Sequence, residues 1–263
     1  MREPTYNKFI PGVYNYCDRW CERCPLTNKC LLYAKDHKRM LEHRVKGENP
    51  YDWKIVMQDV GASFKEAIQI LYKVAKEQGI DLEAIQEVAP QDEEYEQPDP
   101  STHPLYKRAH NYMQLASEFL KKLRESIQAE GVELSERIEV MHSSDLSSIS
   151  DVGTLKEIVS CYETISWYHT LVPAKIYRAL THRFEKYDDE EMAQIGQYDA
   201  DGSAKVAYDG LVKSISALQK VYKWDEELKD SILTLLVGAD RLLKGIDTEF
   251  PGHREFKRPG FNE

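Results

Sequence analysis

The chain has no run of about 18 consecutive apolar residues, so it encodes no helix able to cross a membrane. Its first residues, Met1-Arg-Glu-Pro-Thr-Tyr-Asn-Lys8, lack the apolar core of a secretion signal, and the expected address is cytoplasmic. There is no glycine-rich phosphate loop and no G-x-S-x-G elbow. The thirteen glycines are scattered through expected turns, which removes the easily recognised nucleotide and hydrolase chemistries. No segment alternates apolar and polar residues with period two, and no internal repeat is visible, so nothing signals a sheet or a solenoid.

What is present is charge and helical periodicity. At 263 residues with 41% hydrophobic content the chain is long enough to bury a core without covalent staples. The net charge of −10 is unevenly placed: residues 1–46 carry ten Lys/Arg against five Asp/Glu, and the remainder carries twenty-five against forty. The acidic body is expected to repel nucleic acid, whose binding depends on phosphate neutralisation. The basic N-terminal residues are expected to pack against acidic groups of the body, the alternative being that this module alone touches a polyanion.

Apolar residues recur at helical spacing in five stretches: Val56, Val60, Phe64, Ala67, Leu71 and Val74 in 51–78; Leu105 to Ile127 in 104–129; Leu155 to Phe184 in 151–186; Ala204 to Tyr222 in 203–224; and Leu228 to Ile246 in 226–246. Such stripes must be buried on one another, so the expected fold is all-α, an antiparallel bundle of about five long helices. The expected organisation is a small module over 1–46, a bundle over 51–250 with an acidic proline-bearing linker at 87–100, and an irregular tail over 251–263. Asp199-Ala-Asp-Gly-Ser203 reads as a turn, and Pro173 predicts a kink in the third helix.

The strongest chemical signal is a cluster of cysteines. Cys17, Cys21, Cys24 and Cys30 lie within fourteen residues with the spacing C-x3-C-x2-C-x5-C. In a reducing compartment such crowding favours metal ligation over disulfides. Four thiolates suit a [4Fe-4S] cluster or a tetrahedral zinc ion, and the spacing leaves both open. Tyr14, Tyr16, Trp20 and Tyr33 are placed to wrap the site, and Arg19, Arg23 and Lys29 to offset its negative charge. His37 and His43 follow closely enough to substitute for a thiol. Cys161, alone in a helical pattern, reads as a packing residue.

Two families share parts of this pattern. The C-x3-C-x2-C of Cys17, Cys21 and Cys24 is similar to the signature of radical S-adenosylmethionine enzymes. That resemblance would imply a βα barrel and an open iron, whereas a fourth cysteine follows here and no βα alternation accompanies it. Cys21-x2-Cys24-Pro-x4-Cys30 resembles the last three ligands of the [4Fe-4S] loop in endonuclease III-type DNA glycosylases. The resemblance covers about fourteen residues and implies a closed cluster. It departs from that family in the spacing before Cys21, in preceding the body, and in lacking the helix–hairpin–helix context of the glycosylase activity.

Elsewhere, Glu139-Val-Met-His142 forms an E-x-x-H pair without the second motif that a di-iron site needs. His169 falls within the apolar stripe of the third helix beside Trp167, Tyr168 and Pro173; it reads as a hydrogen-bonded core histidine or, less simply, as a ligand or proton-transfer group within the bundle. Asp59, Glu66 and Ser63 read as a solvated edge, and Glu163 and Arg178 as half-solvated. The expected function is therefore a metal-binding helical protein. The four-cysteine site is structural or regulatory, and the body binds a protein or small-molecule ligand. A [4Fe-4S] redox or sensor protein is the alternative, and an enzyme built around His169 ranks third.

Overall fold

The computed structural model describes residues 8–82, 97–140, 147–187 and 189–261, the side chains of 136–140 and 147–150 excepted. Among the described residues the chain is helical and holds no strand. Among the described residues, six α-helices follow in order: α1 Leu31–Val45, α2 Trp53–Gln78, α3 Pro104–Val140, α4 Ser147–Phe184, α5 Glu190–Trp224 and α6 Lys229–Glu249. The chain divides into two compact units, one of residues 1–10 and 24–96, the other of residues 11–23 and 97–263.

In the larger unit, α3 packs on α4, α4 on α5, α5 on α6 and α6 back on α3, which closes a four-helix bundle. Its core is the set of stripes anticipated from periodicity. Leu105, Ala109, Tyr112, Ala116, Phe119 and Leu123 of α3 meet Ile158, Ile165, Ile176 and Leu180 of α4, and Leu211, Leu218, Ile232, Leu235 and Leu242 complete the interior from α5 and α6. Cys161 is buried among them, as expected of a packing residue. Burial pushes its thiol above the usual value. Helix α4 continues through Pro173, which is itself buried.

One expected turn is helical instead. Asp189 caps α5 by accepting from the Met192 amide at 2.7 Å, and the helix then runs through 199–203 without a break. The reason lies in packing. Ala200, Ser203 and Ala204 are buried, and a Cβ on Gly202 would stand 2.5 Å from Tyr16 Cε1 and 2.7 Å from Phe256 Cζ. This glycine admits two aromatic rings to the helix surface; it does not break the helix. Gly210 does the same for Tyr168, whose ring carbon would lie 2.6 Å from an added Cβ. The tail after α6 is irregular but anchored, with His253, Phe256 and Arg258 buried.

In the smaller unit, α1 and α2 are joined by ion pairs more than by a core. Lys35 meets Glu66 at 2.7 Å, Arg39 donates to Ser63 Oγ at 3.1 Å, and His43 sits between Glu48 Oε2 at 2.6 Å and Asp59 Oδ1 at 3.0 Å. The edge of Asp59, Ser63 and Glu66, expected to be solvated, is thus the face that receives α1. Asp52 caps α2 at one end; at the other, Gly79 takes a left-handed conformation while Ile80 donates back to the Ala75 carbonyl at 2.8 Å. The apolar stripe of α2 is not in the core. Val56, Val60, Phe64, Leu71 and Val74 are all exposed, Phe64 by 66%. Periodicity found the helix and its apolar face, and these side chains are exposed.

Candidate metal centre

The boundary between the two units falls between Arg23 and Cys24, so Cys17 and Cys21 belong to the larger and Cys24 and Cys30 to the smaller. All four thiols are half-buried and none is in a disulfide.

The segment of residues 11–23 is fastened to the bundle by the residues between its cysteines. Tyr16 donates to Asp199 Oδ1 at 2.9 Å and packs edge-on against Phe256 and Tyr198. Asp18 accepts from the Tyr168 hydroxyl at 2.5 Å and from Lys213 Nζ at 3.1 Å, while its carbonyl accepts from the Trp167 indole at 2.8 Å. Trp20 stacks on Trp167 with centroids 5.2 Å apart. Arg23 lies over the Trp20 ring and pairs with Glu163. Residues 16, 18 and 20 therefore turn to the helices. Arg258 closes the arrangement, donating from its buried guanidinium to the Tyr16 carbonyl at 2.8 Å and to Asp209 at 3.1 Å.

The electrostatics of this segment favour charge on its acids. Burial pushes the Asp18 carboxyl up, but the Tyr168 hydrogen bond and the Lys213 charge outweigh it and hold the group below the usual carboxylate range. Tyr16 and Tyr168 are both pushed up, first by burial and then by the carboxylate each one serves. Lys175 of α4 is held below the usual lysine range by burial and by Arg178, with the Cys17 sulfur pulling the other way.

The other two thiols sit on short turns. The Leu26 amide donates to Cys24 Sγ, and the Tyr33 amide donates to Cys30 Sγ, each at 3.4 Å; Cys30 thereby caps α1. A metal ligand at either place would be the thiolate. Among the described residues, no group of three or more His, Cys, Asp and Glu side chains is arranged to hold a metal ion. The fit to a metal thus rests on donor chemistry: four thiols, two of them with amide donors to sulfur and one, Cys17, donating to the Tyr14 carbonyl at 3.5 Å.

The neighbours anticipated from sequence are placed differently. Tyr16 and Trp20 serve the bundle, and Tyr33 stacks on His37 with centroids 5.7 Å apart. His43 has both ring nitrogens engaged by carboxylates, so it is not a spare ligand. His169 is half-buried with Nδ1 2.7 Å from the Ser166 carbonyl. His142 and the Glu139 side chain lie outside the described residues. Sequence reasoning missed Asp199, which gathers Tyr16, Arg178 and His182 Nε2, the last at 2.7 Å. No local pattern could have flagged it, since Tyr16 lies 183 residues away.

No protein-family model matches the chain, and no curated protein or solved structure is similar to it.

Proposed function

We propose that Cys17, Cys21, Cys24 and Cys30 together bind one metal centre, a [4Fe-4S] cluster or a zinc ion, and that the helical body serves as a binding module. The observation that carries this reading is the placing of four reduced thiols within fourteen residues, supported by the amide donors at Cys24 and Cys30. Thiolate sites of this kind generally assemble with the metal, not ahead of it, because unmetallated thiolates repel one another.

A cluster would supply one-electron chemistry, and zinc would supply a folding constraint. In either case this chain's own contribution is to hold Cys17 and Cys21 at fixed places on the bundle. Tyr16, Asp18 and Trp20 do this by hydrogen bonding and stacking on α4 and α5. A change at the metal centre therefore acts first on a segment whose anchors lie on those two helices, which is the arrangement a structural or regulatory site needs.

The test is metal and sulfide analysis with a visible spectrum, on full-length protein purified without oxygen. About four irons and four sulfides per chain, with a broad band near about 400 nm, identify the cluster. About one zinc in a colourless sample identifies the structural ion. Cys21→Ser is expected to abolish either signal and Cys161→Ser to preserve it. Substoichiometric metal in the wild type, or retention in Cys21→Ser, refutes the reading.

A further inference from the structure

The bundle carries a polar cleft of about 560 Å³ where the start of α3 meets the end of α6. The two helices approach closely there. An added Cβ on Gly245 would stand 2.7 Å from Leu105 Cδ1, and one on Gly238 would stand 3.4 Å from Tyr112 Cδ2. The partners step by seven residues in opposite directions, so α3 and α6 run antiparallel. Arg108 and Arg241 fall between these two points of approach, one on each helix, and both line the same cleft. Lys244 joins them about one turn further along α6.

The charges of this cleft do not cancel. The carboxylate in its lining, Glu249, pairs with Arg183 at 3.0 Å and stands 3.9 Å from His103 Nε2. His103 Nδ1 accepts from the Leu105 amide at 3.2 Å, so that ring serves the start of α3. Lys244 reaches Asp240 at 2.7 Å. Arg108 and Arg241 are exposed, and among the described residues neither has a hydrogen-bond or ion-pair partner. Residues 47–263 hold forty acidic groups against twenty-five basic ones, yet two guanidinium groups stand in one cleft with no carboxylate on either. Each presents a planar fork of N–H donors that suits an oxyanion bidentately. A carboxylate has two oxygens and one charge, enough for one fork. A phosphate monoester brings three oxygens and nearly two charges, enough for both. The cleft is also larger than a bare phosphate fills and falls among small-molecule sites of about 300–1,000 Å³. Exposed Pro104 offers its ring to the remainder of such a ligand.

We infer that this cleft binds an organic phosphate, a phosphate monoester held between Arg108 and Arg241 with Lys244 beside them. The inference rests on the helical body being a binding module, gives that module a ligand class, and is independent of the metal centre. The experiment is a calorimetric titration of the full-length protein with phenyl phosphate, inorganic phosphate and benzoate, at constant ionic strength in chloride, with metal content measured on the same samples. Phenyl phosphate is expected to bind once per chain with a Kd of about 1 mM or tighter, and more tightly than either of the others. Arg108→Gln and Arg241→Gln are each expected to weaken it at least about tenfold at unchanged Tm. Arg124→Gln removes the same charge from an exposed site on α3 outside the cleft and is expected to leave binding unchanged. No saturable binding by about 10 mM phenyl phosphate, binding retained when both cleft arginines are changed to Gln, or equal weakening by Arg124→Gln overturns the site. Inorganic phosphate or benzoate binding as tightly as phenyl phosphate overturns the ligand class. A chain that carries its metal but binds no phenyl phosphate overturns this inference and leaves the metal centre standing; one that binds phenyl phosphate without metal does the reverse.

Discussion

Gly202→Ala offers the sharpest test of how the cysteine-bearing segment is held. In an open helix the exchange stabilises, because alanine exceeds glycine in helix propensity by about 1 kcal/mol. Gly153 in α4 is such a position: an added Cβ there meets nothing within 4 Å. At Gly202 the same methyl would enter the Tyr16 ring at 2.5 Å and the Phe256 ring at 2.7 Å. Relief requires both rings to retreat, by about 1 Å, and overpacking of that kind costs about 1–3 kcal/mol. Retreat of Tyr16 also strains its bond to the Asp199 carboxylate, of a kind that contributes about 1.5–3 kcal/mol when one partner is charged. The difference between the two variants cancels the propensity common to both and isolates the clash. It should be at least about 2 kcal/mol in equilibrium denaturation, or roughly 4–8 °C in Tm for a chain of this size. Gly153→Ala should lie above wild type and Gly202→Ala below it. Equal stabilisation of both would show that Tyr16 does not occupy that groove, and the anchoring of Cys17 would fall with it.

Other outcomes follow from the electrostatics. The neighbouring carboxylates Glu48 and Asp59 hold the His43 imidazole above its usual range, so the contact it makes is fully present below about pH 6.5 and is lost as pH rises through the folded value. An NMR titration of His43 should show a midpoint above 6.5, falling in Asp59→Asn; a midpoint at or below 6.5 refutes the bridge. Asp18 is depressed, so its contribution is present above about pH 3.9 and disappears as pH falls through the folded value. Lys213→Met should move the acid-unfolding transition to higher pH, and an unchanged acid limb counts against the Asp18–Tyr168–Lys213 cluster. Tyr168→Phe keeps the ring against Gly210 but removes the hydroxyl between Asp18 and Lys213, at an expected cost of about 1–3 kcal/mol by denaturation.

The helices were legible because burying a stripe demands a period, and Leu105 through Leu123 or Ile232 through Ile246 show that period plainly. Which stripes share a core was not legible. The stripe of α2 has the same spacing as that of α3, yet one is open and the other buried, because periodicity records amphipathicity and not the partner. Asp201-Gly202-Ser203 carries turn chemistry, and it was misread because a glycine that yields room to a distant ring looks the same as one that bends the chain. Of the candidate site, the thiols were visible in their spacing. The contacts that seat them were not, since Tyr168, Lys213 and Arg258 stand 150, 195 and 242 residues away from their partners at Asp18 and Tyr16.

That last separation has a consequence in time. The surface that receives residues 16–20 is built from α4, α5 and the tail as far as Arg258. On a ribosome adding about 5–20 residues per second, the cysteine segment waits on the order of ten seconds or more after its own synthesis for that surface to exist. Residues 16–20 are thus seated only after the chain has been made as far as Arg258. Cys17 and Cys21 reach their final positions later still, and removing Phe256 and Arg258 strikes that early segment first.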